Sequence, residues 1–238
     1  MSQENASSLI TPNQAALRMS VSFLASLLLS TVLIFGGAGR LNWTLGWIFV
    51  TAWIVPKLVF LIFLRWRDPD LLVERATRHK NVQKYDRTIL PIYLVFAFST
   101  FIVASLDGGR YRWSGDIPIV LIVAAFIIYL LGNSLAGWAI NSNPFFSAES
   151  RLQTDRAQKV ASSGPYRFVR HPAYSAAIVL WLFTGLMLES WWAVIPGFLA
   201  GLMMVVRTVY EDRMLNTELP GYAEYVQQVR YRLIPGIW

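Results

Sequence analysis

Apolar residues occur along the chain in six runs, separated by short polar or basic segments. The first four runs cover residues 16–35, 41–64, 88–106 and 117–140. Each is close to the ~20 residues that a helix needs to cross the hydrocarbon core of a bilayer. The pattern therefore predicts four membrane-spanning helices in the first part of the chain.

The last two apolar runs are predicted to form a helical hairpin. Residues 173–188 and 191–215 are separated only by Glu189 and Ser190. One bent helix through both runs would be ~65 Å long, about twice the thickness of the hydrocarbon core. A tight turn with Glu189 at its tip fits a bilayer better. The predicted fold class is all-α, a polytopic membrane protein with about six hydrophobic helices.

Composition favours the same class. Hydrophobic residues make up 55% of the chain and charged residues only 15%. The net charge of +7 comes from basic residues in loops between apolar runs, where membrane orientation explains them better than a nucleic-acid partner does. The absence of cysteine excludes disulfides and thiol nucleophiles. The chain has only two histidines, and they are distant in sequence, so a histidine-based metal site is not favoured.

Lysine and arginine are concentrated in alternate loops. The segments 65–87 and 151–170 and the tail after residue 212 are rich in them, whereas the opposite loops hold only Arg40, Arg110 and Arg112. The positive-inside rule then predicts a multi-pass protein whose termini and basic loops are cytosolic. Within the loop 65–87 we expect a short interfacial helix or a covering segment, and a solvated surface histidine, His79.

The most polar interruption among the apolar runs is the segment 164–174, GPYRFVRHPAY. Its glycine and proline indicate a turn, two arginines and a histidine follow, and Pro172 stands where the next apolar helix could begin. Unpaired N–H groups and partial positive charge at a helix start favour an anionic or zwitterionic ligand. The alternative interpretation is a basic anchor at the membrane surface.

The spacing GPYxxVRHPxY resembles the signature of the isoprenylcysteine carboxyl methyltransferase family, membrane-embedded enzymes that use S-adenosylmethionine (SAM) and include relatives of phospholipid methyltransferases. The resemblance extends over roughly residues 141–238, with Arg207, Glu211 and Asp212 on the last apolar helix and GYAEYVQQVRYRLIPGIW after it. It divides the chain into four membrane spans, residues 1–140, and a SAM-binding catalytic region with the hairpin and a tail, residues 141–238.

The resemblance also implies roles for individual residues. The implied SAM-binding residues are Gln153, Gln158, Lys159, Val160, Ala161, Tyr166, His171, Pro172, Ala173, Tyr174 and Glu211. Arg207 is implied to lie at the methyl acceptor, and the C-terminal tail to fold back over the cofactor. Two positions depart from the family pattern, Ala176 in place of glycine and Asp212 in place of a second glutamate. Ala176 is expected to narrow the space beside the cofactor.

The residue types agree with these roles. Glu211 suits the amino group of SAM, and His171 with the following helix start suits its carboxylate. Arg207 and Glu211 are four residues apart in the less favourable order for a helical ion pair, which indicates separate partners. Arg207 could then hold an acceptor carboxylate. Methyl transfer from a sulfonium needs positioning and exclusion of water more than acid–base residues.

Several alternatives remain open at this point. Lys57 either extends to the interface or lines a cavity. The segment 143–146, NPFF, either gates a lateral entry or ends a helix at its proline. The methyl acceptor could be an isoprenylcysteine carboxylate, a phospholipid amine or a small thiol. Outside methyl transfer, the rivals are an NADPH-dependent sterol-type reductase and a non-enzymatic membrane scaffold or channel.

Overall fold

The computed structural model describes residues 10–77 and 81–238, and within these ranges it is helical without strands. The all-α prediction is therefore confirmed. His79, interpreted above as a surface histidine, lies outside the described ranges. The helices are α1 Pro12–Ala38, α2 Thr44–Arg67, α3 Pro69–Ala76, α4 Asp86–Ala104, α5 Ile119–Asn141, α6 Pro172–Met187, α7 Val194–Glu218 and α8 Tyr222–Gln228.

Five helices of the described chain are long and apolar enough to cross a membrane, namely α1, α2, α4 with its continuation, α5 and α7. The continuation of α4 is a π-helix, Ser105–Tyr111. Helix α6 is shorter and equally apolar, so the prediction of about six hydrophobic helices is confirmed. The short α3 in the loop after α2 also matches the predicted helix there. Asp68 caps α3, because its carboxylate accepts a hydrogen bond of 2.9 Å from the backbone N–H of Leu71.

The predicted hairpin is formed by α6 and α7, which pack against each other. Glu189 lies at its tip in the left-handed conformation, with φ of 57°. Ser190 is buried beside it and donates a hydrogen bond of 2.6 Å to Asp107 in the π-helix. Gly108 has no room for a side chain, since a Cβ there would lie 1.9 Å from the carbonyl oxygen of Leu188. The hairpin tip is therefore docked on the end of α4.

The helices bring different loops together at the two ends of the bundle. At one end, Asp107 joins the hairpin tip to the loop before α5, where the backbone N–H of Ser114 donates to it over 2.8 Å. At the other end, the start of α4, the loop after α5, the start of α6 and the last turns of α7 meet. We call this second end the site end, because it gathers the polar residues described next.

Between the two ends the bundle is filled by aromatic side chains. Phe101 of α4 packs against Phe49 and Trp53 of α2 and against Trp181 of α6, with ring centroids 5.5–6.5 Å apart. Lys57, one turn beyond Trp53, folds back onto its own helix. Its Nζ donates to the Trp53 carbonyl over 3.0 Å and lies 3.7 Å from the centre of the Trp53 ring. Its ammonium group thus contacts α2 itself.

Candidate functional site

A pocket opens at the site end between the loop after α5, the signature segment, α7 and α8. Nearly all of the implied SAM-binding residues line it, namely Gln153, Gln158, Lys159, Val160, Ala161, Tyr166, His171, Ala173, Tyr174 and Glu211. Pro172 and Arg207 are absent from its lining. Pro172 is the first residue of α6, where its ring is buried and fixes the helix start. Residues distant in sequence are thereby brought to one cavity.

The signature segment is held in place by one glycine and two tyrosines. Gly164 has φ of 58°, and a Cβ there would lie 2.2 Å from the Ser142 hydroxyl oxygen, so glycine is required for both conformation and space. Tyr166 is buried, and Asn143 donates to its hydroxyl over 3.4 Å. Tyr225 of α8 donates a hydrogen bond of 2.6 Å to the Tyr166 carbonyl.

Helix α5 ends at Asn141, ahead of the NPFF segment, and Phe145 and Phe146 line the pocket.

Gln153 and Gln158 organise the loop that forms one wall. The side-chain amide of Gln153 donates to the Phe145 carbonyl over 2.6 Å, and its oxygen accepts from Arg156 over 2.7 Å. The Gln158 side-chain oxygen accepts from the backbone N–H of Gln153 over 2.7 Å. Both glutamine side chains are therefore bonded within the loop, and they shape the wall of the pocket.

Glu211 faces the pocket from α7 with hydroxyl donors on its carboxylate. Tyr174 donates to it over 2.7 Å, and the Ser150 hydroxyl donates to the same oxygen. His171 lies with its Nδ1 4.0 Å from the other carboxylate oxygen. The Glu211 side chain keeps 19% of its surface exposed. Its charge is thus oriented by two hydroxyl groups and still reaches the cavity.

The carboxylate bound by Arg207 is that of Asp86, while Arg207 and Glu211 both contact Ser150 and Tyr174. Arg207 is buried and donates two hydrogen bonds of 2.9 Å to Asp86 at the start of α4. It also donates to the Ala148 carbonyl over 2.9 Å and lies 5.2 Å from the centre of the Tyr174 ring. The sequence reasoning left Arg207 available for an acceptor carboxylate and missed Asp86. An acidic residue opening an apolar helix is the signal that could have identified it.

Asp212, the family departure noted above, connects the signature segment to the tail. Arg170 binds it through Nε and Nη2 at 2.7 and 3.0 Å, Arg232 of the tail binds at 2.8 Å, and Tyr222 donates over 2.9 Å. The other departure, Ala176, is fully buried in α6 and does not line the pocket. The expectation that Ala176 narrows the cavity is therefore wrong.

The tail is fastened to the signature segment by backbone hydrogen bonds. The N–H groups of Arg170 and His171 donate to the carbonyls of Tyr231 and Arg232, each over 2.9 Å. Ser175 donates to the Leu233 carbonyl over 2.7 Å. The tail therefore folds back across the start of α6, while α8 supplies Tyr222 and Tyr225 to the pocket wall.

The ionisable groups of the pocket differ in their protonation and in their hydrogen-bond partners. Burial raises the pKa of the Tyr166, Tyr222 and Tyr225 phenols, so these hydroxyls are neutral at ordinary pH. Glu149 differs from Glu211, because its Oε2 is buried and has no hydrogen-bond partner within the described residues. Such a carboxylate oxygen in a pocket calls for a cationic or N–H-bearing ligand. The sequence reasoning missed Glu149, which stands in a loop without a distinguishing motif.

Comparisons with known proteins show what this part of the chain resembles. The chain is 33% identical over 134 residues to the cobalt-zinc-cadmium resistance protein CzcN of Cupriavidus metallidurans, a match that covers 54% of this chain. The match spans about half of that relative, 56% of its length. The family model described as phospholipid methyltransferase matches residues 120–219, which contain the signature segment, Arg207 and Glu211. Over residues 120–219 the resemblance read from the signature is confirmed, and this segment is similar to phospholipid methyltransferases.

Proposed function

We propose that this protein is an integral membrane methyltransferase that uses SAM and methylates a lipophilic acceptor. The observation that supports it most directly is the buried Glu149 Oε2, which has no hydrogen-bond partner in the described part of the chain and lies in a pocket that also presents the Glu211 carboxylate. SAM carries an ammonium and a sulfonium, which are the groups that such oxygens bind. The match to a family of phospholipid methyltransferases supports the reaction class.

The residues of the pocket fit the parts of this cofactor. Glu149 and Glu211 would hold its ammonium group, and Lys159, at the rim, its carboxylate. Tyr166 and Tyr225, with Leu215 and Leu219, offer an aromatic and apolar surface for the adenine. The charge of the two carboxylates also suits a sulfonium. SAM, when bound, supplies an activated methyl group.

The chain itself contributes orientation and exclusion of water. Tyr174 and Ser150 fix the Glu211 carboxylate, and Asp212 with Arg170 holds the tail beside the pocket. These are positioning roles, which suit an in-line displacement that needs aligned reactants more than a proton transfer. The neutral phenols of Tyr166 and Tyr225 add hydrogen-bonding groups without charge.

The proposed acceptor enters from the bilayer and meets the cofactor at the site end. An isoprenylcysteine carboxylate is the acceptor implied by the signature, and a phospholipid amine is the second candidate. The family model matched by residues 120–219 favours the phospholipid. We further propose that the site end and both termini are cytosolic, as the distribution of basic residues indicates.

The decisive experiment incubates purified protein with methyl-labelled SAM and a lipid extract and identifies the labelled product. We expect a labelled lipid from the wild type and a rate at least tenfold lower for Glu211→Gln, since charged hydrogen bonds contribute about 1.5–3 kcal/mol. Glu218→Gln, an exposed change on the same helix, is the matched control. Binding of NADPH in place of SAM would redirect the assignment to a reductase.

A further inference from the structure

Arg75 on α3 is a buried cation without an acidic partner in the described chain. Its Nε and Nη1 are shielded from solvent, and neither forms a hydrogen bond within the described residues. The neighbouring acid, Glu74, is engaged by Arg151, whose Nη2 lies 2.9 Å from it. Guanidinium N–H groups left unsatisfied away from water are costly, so an arginine in this state calls for a ligand.

The surroundings of Arg75 are aromatic and do not accept its hydrogen bonds. The guanidinium carbon lies 5.6 Å from the centre of the Phe60 ring and 5.2 Å from that of Phe146. The rings stabilise the positive charge in part, but they offer no acceptor in the plane of the fork. Burial lowers the pKa of Arg75 to about 10, which still leaves it charged at neutral pH.

Phe146 connects this arginine to the candidate active site. The ring of Phe146 lies beside the guanidinium of Arg75, and Phe146 also lines the pocket that contains Glu149 and Glu211. Phe60 belongs to the membrane-spanning α2, whereas α3 follows the end of that helix. Arg75 therefore lies between an apolar, lipid-facing element and the pocket.

Arg207 is less suited to bind an anion from a ligand. Its charge is already matched by Asp86 through two hydrogen bonds of 2.9 Å. Arg75 presents a planar fork whose Nε and Nη1 donors both have no partner in the described ranges. Phosphate and carboxylate oxygens accept charge-assisted hydrogen bonds from such donors.

We propose that Arg75 binds the anionic group, phosphate or carboxylate, of the amphiphilic methyl acceptor at the lipid side of the pocket. The identification of the ligand as the acceptor rests on the proposed function. The apolar part of the molecule extends along α2 past Phe60, and its reacting end passes Phe146 toward Glu149 and Glu211. Arg75 is thus a specificity residue for acceptors that carry an anion.

The test uses dodecyl phosphate as the probe, titrated calorimetrically into full-length protein in neutral maltoside detergent. We expect Arg75→Gln to weaken binding at least tenfold, as for the loss of a charged hydrogen bond. Arg67→Gln removes the same charge from the exposed end of α2 and should change binding less than about threefold. Equal effects of both variants would mean bulk charge attraction and would overturn the proposal.

Two further experiments distinguish an amphiphilic ligand from a soluble anion at Arg75. Inorganic phosphate should not displace dodecyl phosphate at the same concentration, and displacement would assign the site to a soluble anion instead. Dodecyl phosphate should inhibit labelled methyl transfer in competition with the lipid acceptor and not with SAM. Wild-type protein that binds dodecyl phosphate through Arg75 but binds no SAM would refute the proposed function and leave the Arg75 site standing.

The stability of the ligand-free variant provides an independent readout. Because Nε and Nη1 of Arg75 have no hydrogen-bond partner among the described residues, we expect Arg75→Gln to fold with a Tm no lower than that of the wild type. Arg75→Lys, which keeps the charge and loses the fork, should also fold and bind the probe at least tenfold more weakly. A variant that fails to fold would show that Arg75 has a structural partner, and the proposal would be wrong.

Discussion

Arg207 and Asp86, 121 residues apart in the sequence, form a buried pair in which two hydrogen bonds of 2.9 Å join the guanidinium to the carboxylate. Asp86 is fully buried, and its other contact is the backbone N–H of Ser150, at 2.6 Å. Ser150 in turn donates to Glu211. The pair therefore joins α4 and α7 beneath the pocket. It also holds Ser150, which orients the Glu211 carboxylate.

Asp86→Asn should destabilise the protein by about 3–5 kcal/mol, because it leaves the buried charge of Arg207 uncompensated. The measurement is the free energy of unfolding in detergent. Asp116→Asn is the matched control, since its partner Arg112 forms an exposed i,i+4 pair that contributes at most about 1 kcal/mol. Equal, small losses for both variants would contradict the role of the pair.

The helices were predictable from the sequence because each apolar run is long and bounded by charged or glycine-rich segments. The membrane restricts such runs to helices, since backbone groups must bond internally there. The hairpin was predictable as well, because one continuous helix would be too long. Which residues line the pocket could be predicted from the signature segment and its neighbours, but not from hydrophobic periodicity.

The partners of the charged residues were not predictable in the same way. Asp86 begins α4 and Arg75 lies in the last turn of α3, and the contacts of both depend on packing between elements distant in sequence. The pattern along α7 placed Arg207 and Glu211 on one face, but it carried no information on which side chains of α4 or of the loop after α5 would meet them. Glu149 gave no signal for the same reason.

Glu149→Gln should weaken SAM binding by about tenfold or more, since a charged acceptor is replaced by a neutral one. Calorimetric titration of SAM into purified protein measures the effect. Glu224→Gln, an exposed change on α8, should leave the affinity within about twofold. Loss of affinity in both variants would indicate a general effect of charge and would remove Glu149 from the site.

Asp212→Asn should loosen the tail, because Arg170, Arg232 and Tyr222 all bind its carboxylate. The expected result is trypsin cleavage in the tail at least about tenfold faster than in the wild type, with the membrane-embedded part intact. Mass spectrometry of the released peptides gives the sites. Glu218→Gln, exposed on the same helix, serves as the control, and equal cleavage rates in the two variants would refute the anchoring role.

The orientation can be measured by single-cysteine labelling, because the chain has no cysteine of its own. Asp116→Cys places a thiol in the loop before α5, and Glu224→Cys places one on α8 at the site end. In intact cells a membrane-impermeant maleimide should label the first thiol and reach the second only after permeabilisation. The reverse pattern would place the site end outside.

Arg207→Lys discriminates between two roles for this arginine. Because Asp86 already neutralises Arg207, and because Ser150 links the pair to Glu211, the structure predicts a positioning role. Lysine keeps the charge opposite Asp86 but lacks the fork that also reaches Ser150 and the Ala148 carbonyl. We expect SAM affinity to fall by about three- to tenfold, and turnover to fall for acceptors with and without an anionic group alike.

The opposite result is equally informative. Unchanged SAM affinity, with turnover lowered by one to three orders of magnitude only for a carboxylate acceptor, would assign Arg207 to the acceptor, as the family resemblance implies. The measurement compares SAM dissociation constants and kcat for a carboxylate and an amine acceptor. Glu211→Gln is the reference, because Glu211 is proposed to bind SAM under either role of Arg207. A smaller loss of SAM affinity in Arg207→Lys than in Glu211→Gln is expected if the arginine acts through the glutamate.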